Sequence, residues 1–295
     1  MGPTTTTLAD VLVPWFRAHA RDLPWRRPGT TAWGVLVSEI MLQQTPVARV
    51  EEPWRAWLER WPRPSAMAAA PASEVLRAWG KLGYPRRALR LHAAAQAIAA
   101  DHGDVVPADV ETLESLPGIG TYTARAVAAF AHGQRVPVVD TNVRRVVARA
   151  VLGRADAGAA ASRDLTDTEA LLPGDTADAA TMSAALMELG ATVCVARTPR
   201  CADCPVSGAC AWQHLGRPAG DGPARKAQRW AGTDRQVRGR LLDVLREAPG
   251  PVPAAALDAA WPTDPAQRAR CLDSLLVDGL VEQLADGRFC LPGEQ

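Results

Sequence analysis

The chain has 295 residues, with 33 basic and 32 acidic side chains, a formal charge of +1, 47% hydrophobic and 22% charged residues. That composition is globular, which excludes a disordered or collagen-like chain, and no apolar run approaches the roughly 18 residues of a membrane span. Near-neutral charge also means that a nucleic-acid partner would need cations concentrated locally. The length suits one or two domains.

In chain order, Leu8, Val11, Leu12, Trp15 and Phe16 recur at helical spacing, as do Ala88, Leu91, His92 and Ala95. The N-terminus lacks the basic-then-apolar order of an export signal, so a cytoplasmic protein is expected. Pro46, Pro53, Pro62, Pro64, Pro71 and Pro107 punctuate short helices near an end or a first turn. Residues 136–139 are the one strand-like run before residue 270, too short for a sheet. An all-α class follows.

Composition shifts after Cys210. Residues 217–229 hold two Gly and two Pro and read as a basic linker, and residues 217–240 carry seven basic and two acidic side chains. Val237, Leu241, Val244 and Leu245 then predict one helix and residues 266–277 another. Residues 281–284 and 288–291 flank Ala285-Asp286-Gly287, a hairpin signal. Residues 230–295 therefore fit a small winged-helix-like module, with an accessory helical bundle as the competing reading.

The cations are unusual in kind: 31 are Arg, and Lys occurs only at Lys81 and Lys226. Six cysteines without an export signal suit thiols or metal ligands better than disulfides. Cys194, Cys201, Cys204 and Cys210 are spaced C-x6-C-x2-C-x5-C. Four thiolates in one short loop satisfy either zinc or an iron–sulfur cube, and spacing alone does not choose between them. Cys271 and Cys290 read as small buried hydrophobes.

Leu116-Pro117-Gly118-Ile119-Gly120 sits between helical patterns, with Thr121 opening the second. Two glycines around one apolar residue let the backbone turn tightly, and with the helix N-terminus they suit one DNA phosphate. Two acids stand out by surroundings. Glu39 lies in an apolar helical stretch from Val35 to Leu42, where desolvation favours the protonated carboxyl of a general acid. Asp140 ends the 136–139 run and precedes Thr141-Asn142-Val143, a helix N-cap position whose N–H groups favour the carboxylate. Opposite pressures on two acids suit an acid and a charge stabiliser.

Together these features resemble the helix–hairpin–helix DNA glycosylases that carry an iron–sulfur loop, and within them the adenine DNA glycosylase (MutY-like) family. The resemblance covers about residues 8–215. It rests on Leu23-Pro24-Trp25-Arg26, Ser38-Glu39 through Gln43-Gln44-Thr45, Leu82-Gly83-Tyr84, the hairpin, Asp140-x-Asn142 and the four cysteines.

The resemblance implies a catalytic domain over 1–216 with two helical lobes. A six-helix lobe (about 30–135) would carry Glu39, and a cluster lobe (the N-terminal helix with 136–216) would carry Asp140 across a cleft. It implies a 4Fe–4S cluster held by the four cysteines as a structural, DNA-contacting group. Trp25, Arg26, Gln43, Gln44, Thr45, Tyr84, Gly118, Gly120 and Thr121 would meet DNA, with Gln44 and Tyr84 wedged into the base stack as adenine is extruded. The implied partner is double-stranded DNA with adenine opposite 8-oxoguanine or guanine, bound by a monomer away from membranes.

By the same resemblance Glu39 protonates adenine N7, Asp140 stabilises the sugar cation, and Tyr122 and Asn142 position Asp140 and the water. Tyr122 stands where the endonuclease III branch has its Schiff-base lysine, which implies no β-lyase step. Three departures remain: Thr141 replaces a common Gly, Ala184 replaces an adenine-contacting Gln or Glu, and the residues after Trp230 are too few for the Nudix-like domain of longer relatives. A smaller preference for 8-oxoguanine follows as an expectation. The competing readings are a thymine or uracil mismatch glycosylase and a non-catalytic, metal-stapled DNA-binding protein.

Overall fold

The computed structural model describes residues 6–220 and 230–294. Residues 221–229, most of the segment read as a linker, lie outside that range. Among the described residues the chain is helical, with one two-stranded hairpin. The first half holds α1 (Leu8–His19), α2 (Ala32–Leu42), α3 (Glu51–Arg60), α4 (Pro64–Ala68), α5 (Ala72–Trp79), α6 (Arg86–Asp101), α7 (Val110–Ser115) and α8 (Thr121–Phe130). The second holds α9 (Thr141–Ala150), α10 (Arg163–Glu169), α11 (Thr176–Thr192), α12 (Ala211–His214), α13 (Asp234–Glu247), α14 (Ala254–Ala260) and α15 (Pro265–Val277), then strands β1 (Glu282–Gln283) and β2 (Phe289–Cys290). No described helix is long and apolar enough to cross a membrane.

The chain divides into two compact units. Among the described residues, one lies within residues 1–35, 108–112 and 120–225, the other within residues 36–107, 113–119 and 226–295. In the first, α11 packs against α1, α9 and α8. Leu12, Val143, Val146, Met182, Ala185, Leu186 and Leu189 fill its core, and each fully buried leucine contributes ~1.5–3 kcal/mol over an exposed one. A capping box between Thr7 and Asp10 starts α1, which continues through an internal Pro14. Residues 136–139 form no strand and lead directly into the α9 cap.

One ion-pair centre is interior to this unit. Glu188 of α11 is buried, and it accepts from Arg21 Nε at 2.6 Å, Arg21 Nη2 at 2.9 Å and Arg26 Nη1 at 2.8 Å. Burial would raise its carboxyl, but these guanidiniums hold it below the ordinary value.

In the second unit α6 packs on α4 and α5. Ala88, Leu91, His92 and Ala95 all face the interior, as their spacing predicts. Residues 33–41 of α2 are buried throughout, which an all-round apolar helix requires. Trp57 sits edge-on to Trp61 and Trp79, with ring centres 5.0 and 5.4 Å away. The C-terminal segment belongs to this unit. There α13 packs on α14, α15 and α5, β1 and β2 pair antiparallel, and Val252 bridges to Phe289. Three helices and a two-stranded hairpin follow one another in this segment, with Cys271 and Cys290 buried inside it.

Candidate active site and cysteine loop

Asp140 is the N-cap of α9. Its Oδ1 accepts the backbone N–H groups of Asn142 (2.8 Å) and Val143 (2.7 Å), and its Oδ2 accepts from Asn142 Nδ2 at 2.7 Å. Three N–H donors thus converge on one half-buried carboxyl group, which suits an acceptor-only carboxylate. The Asn142 amide is itself fixed, because its Oδ1 accepts from Arg145 Nη2 at 2.7 Å. Gly190 of α11 backs this arrangement. A Cβ on it would come within 2.6 Å of Asn142 Cβ.

Arg145 also ties this cap to the cysteine loop. Its Nε donates to the Cys194 carbonyl at 2.7 Å, and its Nη2 also reaches the Gly190 carbonyl at 2.7 Å. One turn later the buried Arg149 donates to the carbonyls of Val195 (2.9 Å) and Ala196 (3.0 Å), and to Cys194 Sγ at 3.6 Å. It lies over the Trp212 ring at 4.9 Å. The two arginines sit four residues apart on α9, so one helix face grips the start of the loop. Neither was singled out from sequence; the signal available was the Arg144, Arg145, Arg149 run following the acidic cap.

Cys194, Cys201, Cys204 and Cys210 line one pocket with Val193, Pro199, Trp212, Arg149 and Arg200. Burial pushes the Cys204 thiol up to about 11, and the charges of Cys194, Cys210 and Cys201 push the same way against a backbone hydrogen bond at Val206. A bound metal group reverses this balance, since coordination favours the thiolate. Four soft sulfurs in an apolar pocket with cations beside it fit a thiolate-ligated metal group. Among the described residues no group of three or more His, Cys, Asp or Glu side chains is drawn close enough to hold a single metal ion.

Glu39 lies in the second unit, on α2, and is 5% exposed; the desolvated setting inferred from its neighbours is present. In the same unit, Gln44 and Tyr84 both adopt left-handed backbone (φ 55° and 47°), a costly conformation for side chains of this size. What holds them there is Arg87, another residue that the sequence did not flag. From α6 its buried guanidinium donates through Nη1 to the carbonyls of Ile40 (2.8 Å), Met41 (3.0 Å) and Gln43 (2.5 Å). Through Nη2 it reaches Thr45 Oγ1 (3.0 Å) and the Gly83 carbonyl (2.9 Å). Burial pulls Arg87 down to about 10, which leaves it charged at neutral pH. One cation therefore pins both loops and presents Gln44 and Tyr84 outward.

The two hairpin glycines differ in backbone conformation. Gly118 has φ +75°, and a Cβ there would meet Arg90 Cβ at 2.5 Å, so glycine is required twice over. Gly120 is extended (φ −102°, ψ 174°) as the N-cap of α8, and a Cβ there would meet nothing. The left-handed residue of the turn is thus Gly118. Gly118, Gly120 and Thr121 are exposed, and Tyr122 is half-buried against the Ala126–Ala129–Val138 cluster. Trp25 and Thr45 face inward, and Arg26 is engaged by Glu188 and lies over the Phe16 ring at 5.3 Å. Trp25 and Thr45 thus belong to the interior of their units, while Arg26 stays partly exposed at its ion pair.

The helical architecture and the cysteine loop define a helix–hairpin–helix DNA glycosylase. A family model described as the HhH-GPD superfamily of base excision DNA repair proteins matches residues 37–167. The adenine DNA glycosylase of Mycolicibacterium smegmatis is 67% identical over 96% of this chain and 95% of its own length. That of Mycobacterium tuberculosis is 64% identical over 96% and 93%. Among solved structures, a thermostable thymine-DNA glycosylase superposes with a TM-score of 0.63 at 26% identity, covering 70% of this chain and 95% of that one. The chain belongs to the adenine DNA glycosylase family, enzymes of base excision repair.

Proposed function

We propose that the chain excises adenine mispaired with 8-oxoguanine or guanine in duplex DNA, acting as a monomeric and monofunctional hydrolase. The observation that carries the reading is the Asp140 carboxylate, held by three N–H donors and braced through Asn142 by Arg145. A fixed negative charge is what an oxocarbenium-like sugar needs as the base departs. At ~4 Å and an effective dielectric of about 20 such a pair is worth ~4 kcal/mol, around three decades of rate.

Glu39, 5% exposed on α2, supplies the proton to adenine N7, since the departing purine leaves poorly as an anion. Asn142 and Tyr122 position Asp140 and the attacking water. Gln44 and Tyr84 enter the base stack, where an aromatic ring replacing a lost neighbour is worth ~1–3 kcal/mol. Gln43 shapes that loop through its carbonyl, and Gly118, Gly120 and Thr121 contact phosphate. Trp25, Arg26 and Thr45 contribute by holding their segments in place. Cys194, Cys201, Cys204 and Cys210 would hold a 4Fe–4S cluster, and such a group would supply a structural cross-link of the loop.

The test is base release from a panel of mismatched duplexes. Wild type should free adenine from duplexes pairing it with 8-oxoguanine or guanine. Asp140→Asn, which keeps an acceptor for the two backbone N–H groups but sets an amide N–H against Asn142 Nδ2, should stay folded, bind the same duplex and release about a thousandfold less. Release of thymine or uracil instead would establish the competing specificity, and an active Asp140→Asn would refute the carboxylate's role.

A further inference from the structure

Tyr84 is flanked by two cations. The guanidinium of Arg87 lies 5.6 Å from its ring centre from within the unit, and that of Arg235, the second residue of α13, lies 4.4 Å from it at the surface. Arg235 is also 5.3 Å from the Trp230 ring, and Arg87 is 5.0 Å from that of Trp79. A continuous run of alternating rings and guanidiniums, Trp230–Arg235–Tyr84–Arg87–Trp79, therefore passes from solvent to core. Its outer members are open: Tyr84 is 39% and Trp230 54% exposed.

The segment carrying Arg235 is held firmly against the segment carrying Tyr84. Asp278 after α15 pairs with Arg86 at the start of α6 (3.1 Å) and with Arg238 of α13 (2.5 Å). Arg77 of α5 is bonded to the C-terminal carbonyls of α13. The neighbouring carboxylate Asp234 is engaged by Arg270 at 2.9 Å, and among the described residues no ion pair uses Arg235. A guanidinium in this setting stacks on an aromatic face with one plane and offers the other plane and its N–H edge to a further partner.

We propose that the C-terminal module completes the DNA-distorting element: Arg235 positions the Tyr84 ring and, together with the Trp230 indole, presents a stacking face to the bases beside the extruded adenine. The proposal rests on Tyr84 being the inserted ring. Every nucleobase has a π-face, so such a platform adds affinity for distorted duplex without reading sequence.

The experiment uses the full chain and a duplex carrying guanine opposite a sugar-fluorinated adenosine that resists cleavage. 2-Aminopurine beside the mispair reports unstacking, and single-turnover excision is measured on the cleavable counterpart. Arg235→Ala should lower both the fluorescence rise and the excision rate about two- to fivefold. Trp230→Ala should weaken mismatch binding to a similar degree, and both should leave binding to fully paired duplex unchanged. Arg235→Lys, which keeps the charge and loses the planar stack, should fall between. The decisive comparison is with Tyr84→Ala: in that background Arg235→Ala should have no further effect. An equal loss with and without Tyr84, or on paired duplex, would make Arg235 a plain phosphate contact, and no loss at all would make it a packing contact. Either result overturns the proposal while leaving the Tyr84 reading intact. Wild-type excision that Tyr84→Ala does not slow would overturn that reading, and this proposal with it.

Discussion

Arg77 and Arg246 cap each other's helices. Arg77, in the last turn of α5, donates through Nη1 to the carbonyls of Leu245 (3.1 Å), Arg246 and Ala248 (2.8 Å) at the end of α13. Arg246, in the last turn of α13, returns a bond from Nε to the Leu76 carbonyl at 3.1 Å. Each cation thus meets the negative end of the opposite helix dipole and satisfies carbonyls that the helix itself leaves unpaired. Arg77→Ala and Arg246→Ala should each destabilise the chain by ~1–3 kcal/mol. The double variant should cost less than the sum by at least ~0.5 kcal/mol. Urea unfolding of the four proteins checks it, and strict additivity would dissolve the pairing.

Arg145 should matter to chemistry and not only to folding. It orients the Asn142 amide, which orients Asp140 Oδ2, while its Nε holds the Cys194 carbonyl. Arg145→Gln should slow single-turnover excision at least tenfold under conditions where the variant remains folded and DNA-bound. A variant that loses thermal stability but excises at the wild-type rate would confine Arg145 to the scaffold.

For the cysteines, visible absorbance is the direct readout. Native protein should be brown from iron–sulfur charge transfer, and Cys204→Ser should lose that band together with thermal stability, since a group bound only by the folded chain stabilises it by mass action. Colourless native protein holding one equivalent of zinc would assign the pocket to a single ion.

Tyr122 should exclude a lyase step. The chain has lysines only at Lys81 and Lys226, and Tyr stands at 122, so no amine is supplied at that position. Borohydride added during turnover should trap no protein–DNA adduct, and strand cleavage should require added base. A trapped adduct would identify an amine acting elsewhere.

Acid sensitivity should centre in part on Glu188. Its folded-state titration lies below the ordinary carboxyl value of 4.5 because Arg21 and Arg26 outweigh its burial. A depressed carboxyl contributes its full stabilisation above the unfolded value and loses it as pH falls through the folded one. Glu188→Gln should therefore be less stable than wild type at pH 7, with the difference narrowing below about pH 4.5. A constant difference across that window would show that packing, not charge, sets its contribution.

Several features were legible before folding because they are local. Asp140 and the N–H groups that it caps lie within three residues. The helical faces of α1 and α6 repeat every turn, and the cysteine loop closes within one short segment. Which hairpin glycine goes left-handed was not legible, because only the backbone torsion reveals that it is Gly118 and not Gly120.

The sequence by itself determined the helices, their caps, the thiol set and two acids in contrasting surroundings, since those depend on neighbours a few residues away. Tertiary structure alone decided what the arginines do. Arg87 reaches Ile40 across 47 residues, Arg145 reaches Cys194 across 49, and Arg77 reaches Leu245 across 168. A guanidinium on a long stem has five donors and no periodicity, so its partner is whichever carbonyl or ring packing brings within reach.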